Sequence, residues 1–125
     1  MVYQKPKRGP DHKETLGALV NRHLAERGWS PARLAEESGL SKATISRITK
    51  YRRKNEDKAY RPQVNAIQTL ALALRLNEEE TLALFDAAYP GFLIWRECIR
   101  KGVDLDEANE ILYEKGLPTL PIEYD

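Results

Sequence analysis

The chain lacks the features that several classes of protein require. Its 125 residues contain one cysteine, which excludes a disulfide framework within the chain and a cysteine-rich zinc site. No apolar run approaches the roughly 18–20 residues that span a bilayer, so we expect no membrane protein. The basic N-terminus is not followed by an apolar stretch, which argues against a secretory signal. The expected compartment is the cytoplasm.

Motifs for catalysis and cofactor binding are also missing. The sequence has neither a glycine-rich phosphate loop nor the nucleophile elbow of hydrolases. His12 and His23 are eleven residues apart, and no pair of ligands has the short spacing of zinc sites. His23 is interpreted as a partly buried helix residue and Cys98 as a core residue on an apolar stripe. We therefore predict no enzyme, no metal and no cofactor.

The charged residues are divided unequally between the two halves of the chain. The composition is ordinary for a soluble globular protein, with 42% hydrophobic and 31% charged residues. Residues 1–62 carry 15 Lys/Arg and 7 Asp/Glu, whereas residues 63–125 carry 5 and 12. This division indicates a part that binds a polyanion, joined to an acidic part. A charge run alone is more often a solvated face. Its position within a motif must therefore decide whether these basic residues bind a polyanion.

The spacing of the apolar residues predicts an all-α fold of seven short helices. Apolar residues recur at intervals of three and four, and no segment alternates as a strand does. The predicted helix starts are Asp11 with Glu14, Ser30 before Pro31, Ser41, Gln63, Asn77 with Glu80, the residue after Gly91, and Asp104 with Glu107. The predicted ends include Gly28, Gly39, Leu76, Gly102 and Gly116. Residues 51–62 are predicted as a loop and residues 117–125 as an extended tail.

The segment 30–50, SPARLAEESGLSKATISRITK, resembles the helix-turn-helix of the phage lambda repressor, Cro and XRE family of transcription regulators. The matching residues are Leu34, Ala35, Gly39, Leu40, Ser41, Ile45 and Ile48. The resemblance implies a five-helix lambda-repressor-like DNA-binding domain over residues 14–89. A basic N-terminal arm would precede it at 1–13, and a C-terminal helix pair with its tail would follow at 90–125.

The resemblance implies that the third helix enters the major groove of double-stranded DNA. The positions that read base edges would be Lys42, Ala43, Ser46 and Arg47. Arg47 is expected to contribute most, because its guanidinium can donate a pair of hydrogen bonds to guanine O6 and N7. Phosphate contacts would come from Ser41, Lys50, Arg52, Arg53, Lys54 and Arg61. A homodimer is expected because one recognition helix reads too few base pairs for selective binding. The resemblance to this family also implies a repressor.

The sequence departs from the family pattern in three places. Pro31 stands where members often have a glutamine that touches a phosphate. Thr49 and Tyr51 replace the usual Glu and Gly after the recognition helix, and the loop 51–62 is longer than usual. The basic residues of this loop are expected along the DNA backbone or in the minor groove beside it.

The acidic C-terminal segment leaves two interpretations open. Residues 94–120 are similar to helix-pair extensions that follow such domains in regulators of Gram-positive bacteria and their mobile elements. Their apolar side chains, with those just before them, exceed what two helices bury alone: Phe92, Leu93, Trp95, Ile99, Ile111 and Leu112. They either complete the core against the first and fifth helices or form a dimer interface. The alternative function is a protein-interaction module, an antitoxin or adaptor, that uses this acidic pair.

Overall fold

The structure is a computed structural model that describes residues 14–50 and 62–121. These residues form seven helices and no strand, which confirms the predicted all-α class. The helices are α1 (Leu16–Arg27), α2 (Pro31–Ser38), α3 (Lys42–Thr49), α4 (Val64–Ala73), α5 (Glu78–Ala88), α6 (Phe92–Lys101) and α7 (Leu105–Glu114). The chain divides into two compact units, residues 1–88 with α1 to α5 and residues 89–125 with α6 and α7.

The first unit has an aliphatic core to which each of its helices contributes. Helix α1 packs against α3 and α5, α2 packs against α3 and α4, and α4 packs against α5. The side chains with almost no exposed surface are Leu16, Val20, Leu34, Ile45, Ile48, Ile67, Leu70, Leu74 and Leu84. They recur at spacings of three and four within a helix, so each helix turns one apolar face inward.

Helix α1 begins later than predicted. Thr15 is its N-cap, and the Thr15 hydroxyl accepts the Ala18 N–H at 3.1 Å. Glu14 precedes the helix; its carboxylate accepts from the Arg22 guanidinium at 2.8 Å, and this hydrogen bond raises the pKa of Arg22. The predicted start at Asp11 with Glu14 inside the helix is wrong, because Thr15 supplies the cap; Asp11 itself lies outside the described residues.

His23 is more deeply buried than predicted. Only 2% of its surface is exposed, and its Nδ1 has no hydrogen-bond partner. The Glu26 carboxylate lies 3.4 Å from Nδ1 but outside hydrogen-bonding geometry. The prediction of a partly buried His23 therefore underestimates how deeply the side chain is buried. His12 lies outside the described residues.

Helix α4 ends three residues earlier than predicted. Arg75 adopts a left-handed conformation, with φ of 56°, and no other non-glycine residue in the described ranges has positive φ. The Leu76 N–H donates to Ala71 O at 2.9 Å and the Arg75 N–H to Leu72 O at 3.1 Å. These two bonds close the helix in a Schellman motif. The predicted end at Leu76 is wrong because the chain has already left the helix there.

The apolar faces of α4 and α5 differ in part from the prediction. The apolar spacing of residues 63–76 predicts an inward Val64, but Val64 is exposed at the first turn of α4. On α5 the apolar spacing predicts an inward face of Leu82, Phe85 and Ala88; Ala88 is fully buried, as is Leu84, whereas Leu82 and Phe85 are half-buried. The start of α5 is confirmed: the Asn77 N–H donates to the Glu80 carboxylate and the Glu80 N–H to the Asn77 side chain, at 3.0 and 2.7 Å.

The second unit has a small core of its own residues Cys98, Ala108 and Leu112, each buried. A β-carbon at Gly91 would lie 3.2 Å from Leu112 Cδ2, and Gly91 has φ of +95°, so only glycine fits before α6. The Asn109 side chain holds the extended tail by bonding the Leu120 N–H and C=O at 2.7 and 3.1 Å. The core assignment of Cys98 and the caps of α6 and α7 are confirmed.

Candidate nucleic-acid interface

The start of α2 is fixed by its own sequence. Ser30 Oγ accepts the Arg33 N–H at 3.0 Å, and Pro31 occupies the first helical position, as predicted. The Arg33 guanidinium lies 4.8 Å from the centre of the Trp29 ring and donates to Glu37 at 2.8 Å. This side-chain arrangement holds the first turn of α2 in place and was not foreseen from the sequence.

A short turn connects α2 to α3. Gly39 has φ of 79°, a conformation that other residues rarely adopt, and its N–H donates to Ala35 O at 2.9 Å. The Leu40 N–H donates to Ser38 Oγ at 3.1 Å. Ser41 then caps α3, accepting the Thr44 N–H at 3.0 Å while its hydroxyl donates to Thr44 Oγ1. The predicted cap and turn are confirmed.

Helix α3 is anchored along one side. Ile45 and Ile48 are almost fully buried, so they anchor α3 to the core. Thr49 is also buried; its hydroxyl donates to Ile45 O at 2.9 Å, and its C=O accepts from Asn21 Nδ2 at 3.1 Å. The bond from Asn21 joins α1 to the end of α3, and it could not be foreseen from the sequence because the two residues are 28 positions apart.

The opposite side of α3 carries three of the four predicted base-reading residues, together with Lys50, a predicted phosphate contact. Ala43, Ser46, Arg47 and Lys50 are spaced i, i+3, i+4 and i+7, so they form one stripe along the helix. Ala43, Arg47 and Lys50 are exposed and Ser46 is half-buried, while Lys42 is exposed beside the stripe in the first turn. Helix α3 has no acidic residue, so this surface is positively charged.

The N-terminus of α3 adds hydrogen-bond donors to the same surface. The N–H groups of Lys42 and Ala43 belong to the first turn and have no partner within the helix. The helix dipole places a partial positive charge there, an arrangement that suits a phosphate. Ser41 stands beside these groups, although its hydroxyl already serves as the cap.

Several predicted phosphate contacts lie outside the described residues: Arg52, Arg53, Lys54 and Arg61. Of the other two, Lys50 is exposed at the end of α3 and Ser41 is exposed at its start. The structure therefore brings together Ser41, Lys42, Ala43, Ser46, Arg47 and Lys50 on one helix.

Other kinds of site are not evident in the parts of the chain that the structure describes. Residues 14–50 and 62–121 contain no group of three or more His, Cys, Asp or Glu side chains that could hold a metal ion. None of the helices in these ranges is both long and apolar enough to cross a membrane.

Two packed helices joined by a glycine turn, the second with a basic outer stripe, define a helix-turn-helix DNA-binding domain. Residues 20–86 match the family of Cro/C1-type HTH DNA-binding domains. The match covers more than half of the chain, so the chain belongs to that family. No curated protein and no solved structure matches it. The chain is thus a DNA-binding regulator, and the resemblance to the lambda repressor and Cro is confirmed.

Proposed function

We propose that the protein is a cytoplasmic transcription regulator, acting as a repressor, that inserts α3 into the major groove of double-stranded DNA. The observation that carries this proposal is the stripe of Ala43, Ser46, Arg47 and Lys50 on the side of α3 opposite its buried isoleucines. A rigidly anchored helix with exposed basic and small side chains suits a groove lined by base edges and phosphates. The proposed activity needs no cofactor and no catalytic step.

Each side chain expected to read bases has a chemically specific role in this proposal. Arg47 donates two parallel hydrogen bonds to guanine O6 and N7, and Ser46 bonds an adjacent base edge. The Ala43 methyl group contacts a thymine methyl, and Lys42 reaches the base edges at the first turn. Arg47 contributes most because a bidentate bond discriminates between bases by about 1–3 kcal/mol.

Phosphate contacts would orient the helix without reading sequence. The N–H groups at the start of α3 and the Ser41 hydroxyl lie where one phosphate would bind. Lys50 would bind a second phosphate at the other end of the helix. The basic residues Arg52, Arg53, Lys54 and Arg61 follow α3 in the sequence and would contact the backbone or the minor groove next to it.

Two copies of the chain would read one operator. A single recognition helix contacts about four base pairs, which is too little for selective binding. A two-fold dimer places two such helices about one helical turn of DNA apart, so the expected operator is a near-palindrome. Repression would follow because a dimer on such a site blocks access to the DNA it covers.

Selection from a random duplex library tests this function. The wild-type protein should enrich a near-palindromic site, and Arg47→Ala should blur or abolish the enriched motif. Lys101→Ala is the matched control, because it removes one exposed positive charge from α6 and leaves α3 intact. Absence of any enriched site with a folded wild-type protein would contradict the proposal and favour a protein-interaction module.

A further inference from the structure

A groove on the first unit lies between the turn that connects α1 to α2 and the C-terminal end of α4. Its volume is about 760 Å³, which is within the range of small-molecule sites in proteins. The side chains that line it include Glu26, Arg27, Trp29, Glu37, Leu72 and Arg75. None of these residues belongs to α3 or to the proposed DNA contacts, so the groove is a feature distinct from the DNA-reading stripe.

The two carboxylates of the groove already have cationic partners. The Glu37 carboxylate accepts from the Arg33 guanidinium at 2.8 Å. The carboxylate oxygens of Glu26 lie 3.5 Å from Arg22 Nη1 and 3.7 Å from Arg27 Nη1. Because neighbouring arginines balance both negative charges, a cationic ligand would gain little from either carboxylate.

The two arginines of the groove differ in what they bond. The Arg27 guanidinium donates to the C=O of Leu74 at 2.6 and 3.1 Å and to the C=O of His23 at 2.9 Å. The Arg75 side chain is exposed, and none of the hydrogen bonds and ion pairs found among the described residues involves its guanidinium. Arg75 therefore gives the groove a positive charge and hydrogen-bond donors that have no partner in this part of the chain.

Arginine is an unusual residue for the backbone position that Arg75 occupies. Its φ of 56° is left-handed, and glycine holds the corresponding position after α1 and α6. A residue with a β-carbon is less stable there than glycine. Strained backbone of this kind is concentrated at ligand sites, where the binding role of the side chain offsets the strain.

Apolar surface lies in the same groove as this guanidinium. The Leu72 side chain is 81% exposed, more than any other large apolar side chain in the part of the chain that the structure describes. Trp29 is half-buried, and the Arg33 guanidinium lies 4.8 Å from the centre of its ring, which holds the ring in place. An apolar ligand body that covers Leu72 and Trp29 would be stabilised by removal of this surface from water.

We propose that the groove binds a small organic monoanion, in which one carboxylate is attached to an aromatic or branched aliphatic body. The carboxylate accepts two hydrogen bonds from Arg75, a geometry that a guanidinium favours. The apolar body lies against Leu72 and Trp29. A single unpaired guanidinium matches one negative charge, whereas a phosphate would bring additional negative charge into a groove that already contains Glu26 and Glu37.

Nuclear magnetic resonance of isotope-labelled full-length protein, titrated with phenylacetate, tests the site. Phenylacetamide has the same apolar body without the charge, and inorganic phosphate has charge without the body. The signals to follow are the backbone amides of Leu72 and Arg75 and the indole N–H of Trp29. Each titration gives a dissociation constant for one probe at this groove.

Three variants separate the contributions to binding. Arg75→Gln removes the charge and keeps the β-carbon, and Leu72→Ala removes apolar contact at an exposed position. Arg96→Gln is the matched control, because it removes an exposed arginine from α6 in the second unit. Circular dichroism checks that each variant keeps its helix content.

Phenylacetate should shift the three signals and bind about fivefold more tightly than phenylacetamide, because its carboxylate pairs with Arg75. Arg75→Gln should reduce the affinity for phenylacetate to that for the amide and leave the amide unaffected. Leu72→Ala should weaken both probes about threefold, since both use the apolar contact. Arg96→Gln should bind both probes as the wild type does.

Three results would overturn the inference: no shift of these signals at about 10 mM phenylacetate, equal affinities for phenylacetate and its amide, or wild-type affinity in Arg75→Gln. Phosphate that binds as tightly as phenylacetate would also overturn it, because charge alone would then be recognised. The selection experiment on Arg47 involves no residue of the groove, so failure of either proposal leaves the other in place.

Discussion

At the scale of single residues, the backbone at Arg75 is the least favourable local conformation in the described chain. Its φ of 56° is reached by residues with a β-carbon only at an energetic cost. The glycines that follow α1, α6 and α7 hold the same position without that cost. Glycine therefore suits position 75 better than arginine.

We expect Arg75→Gly to raise the free energy of unfolding by about 1 kcal/mol, because the left-handed position no longer strains a β-carbon. Urea denaturation followed by circular dichroism measures this change. Arg75→Ala is the control, since it removes the same guanidinium but keeps the β-carbon, and it should give no such gain. Equal gains from glycine and alanine would show that loss of the side chain, rather than relief of strain, is responsible.

Asn21 is the residue whose importance is least visible in the sequence. Its side chain bonds the C=O of Thr49 at the end of the recognition helix. Asn21→Ala should lower the free energy of unfolding by about 1 kcal/mol, the usual contribution of one hydrogen bond. It should also weaken operator binding, because α3 loses a link to α1. Fluorescence anisotropy with labelled duplex measures the affinity.

Asn65→Ala provides the comparison, because Asn65 is exposed on α4 and its side-chain amide makes no hydrogen bond found among the described residues. It should change neither stability nor affinity by more than a few tenths of a kcal/mol. If Asn21→Ala behaves like Asn65→Ala, the link from α1 to α3 has no energetic importance.

At the scale of helices, the start of α3 has a structural role and a proposed binding role that can be separated. The Ser41 hydroxyl caps the helix, and the proposal places a phosphate beside it. Ser41→Ala should lower the free energy of unfolding by about 1 kcal/mol through loss of the cap. Ser41→Asp should retain most of the stability, since aspartate caps as well as serine.

The same Ser41→Asp variant should nevertheless lose DNA affinity, because its carboxylate repels the phosphate that the N-terminus of α3 is proposed to bind. Stability and duplex affinity of both variants, measured side by side, check this expectation. Wild-type affinity in Ser41→Asp would mean that no phosphate approaches this helix start.

Local signals predicted most helix boundaries, since caps act over three or four residues. The caps of α2, α3, α5 and α7 are formed by the residues that the sequence indicated. The start of α1 was misplaced because Thr15 caps it, and Glu14, which fits a capping box, instead bonds Arg22. The end of α4 was misplaced because an arginine occupies a position where glycine is the usual signal.

Contacts between distant residues account for what the sequence could not predict at the candidate site. The apolar pattern indicated that Ile45 and Ile48 face inward, so the opposite stripe followed from helix geometry. The bond between Asn21 and Thr49 did not follow, because neither residue type has a fixed partner at that separation. The exposure of Trp95 and Ile99 was equally unpredictable, because an apolar stripe does not reveal what covers it.

At the scale of the whole molecule, the charge division separates the helix-turn-helix from the C-terminal helices. The basic half contains α2 and α3, and the acidic half contains α6 and α7. We expect operator binding to depend steeply on salt, with the slope of log affinity against log salt reduced by about 0.9 for each phosphate contact removed. Alanine in place of Arg52, Arg53 and Lys54 should therefore lower both the affinity and the steepness of this slope.

Titration of duplex at several salt concentrations measures the slope, and alanine at Lys101 and Lys115 is the control outside the helix-turn-helix. Wild-type affinity and slope in the variant at residues 52–54 would mean that these side chains contact no phosphate. The base preferences of the selected site should remain the same in this variant, because phosphate contacts carry no sequence information.

The central claim, that Arg47 reads a base in the major groove, is tested most directly by a double-mutant cycle. Affinities are measured for wild type and Arg47→Ala on the selected operator and on operators with each G·C pair changed to A·T. One pair should show a coupling of about 1–3 kcal/mol, meaning that its change weakens wild-type binding but not that of Arg47→Ala. Additive losses at every G·C pair would contradict the claim.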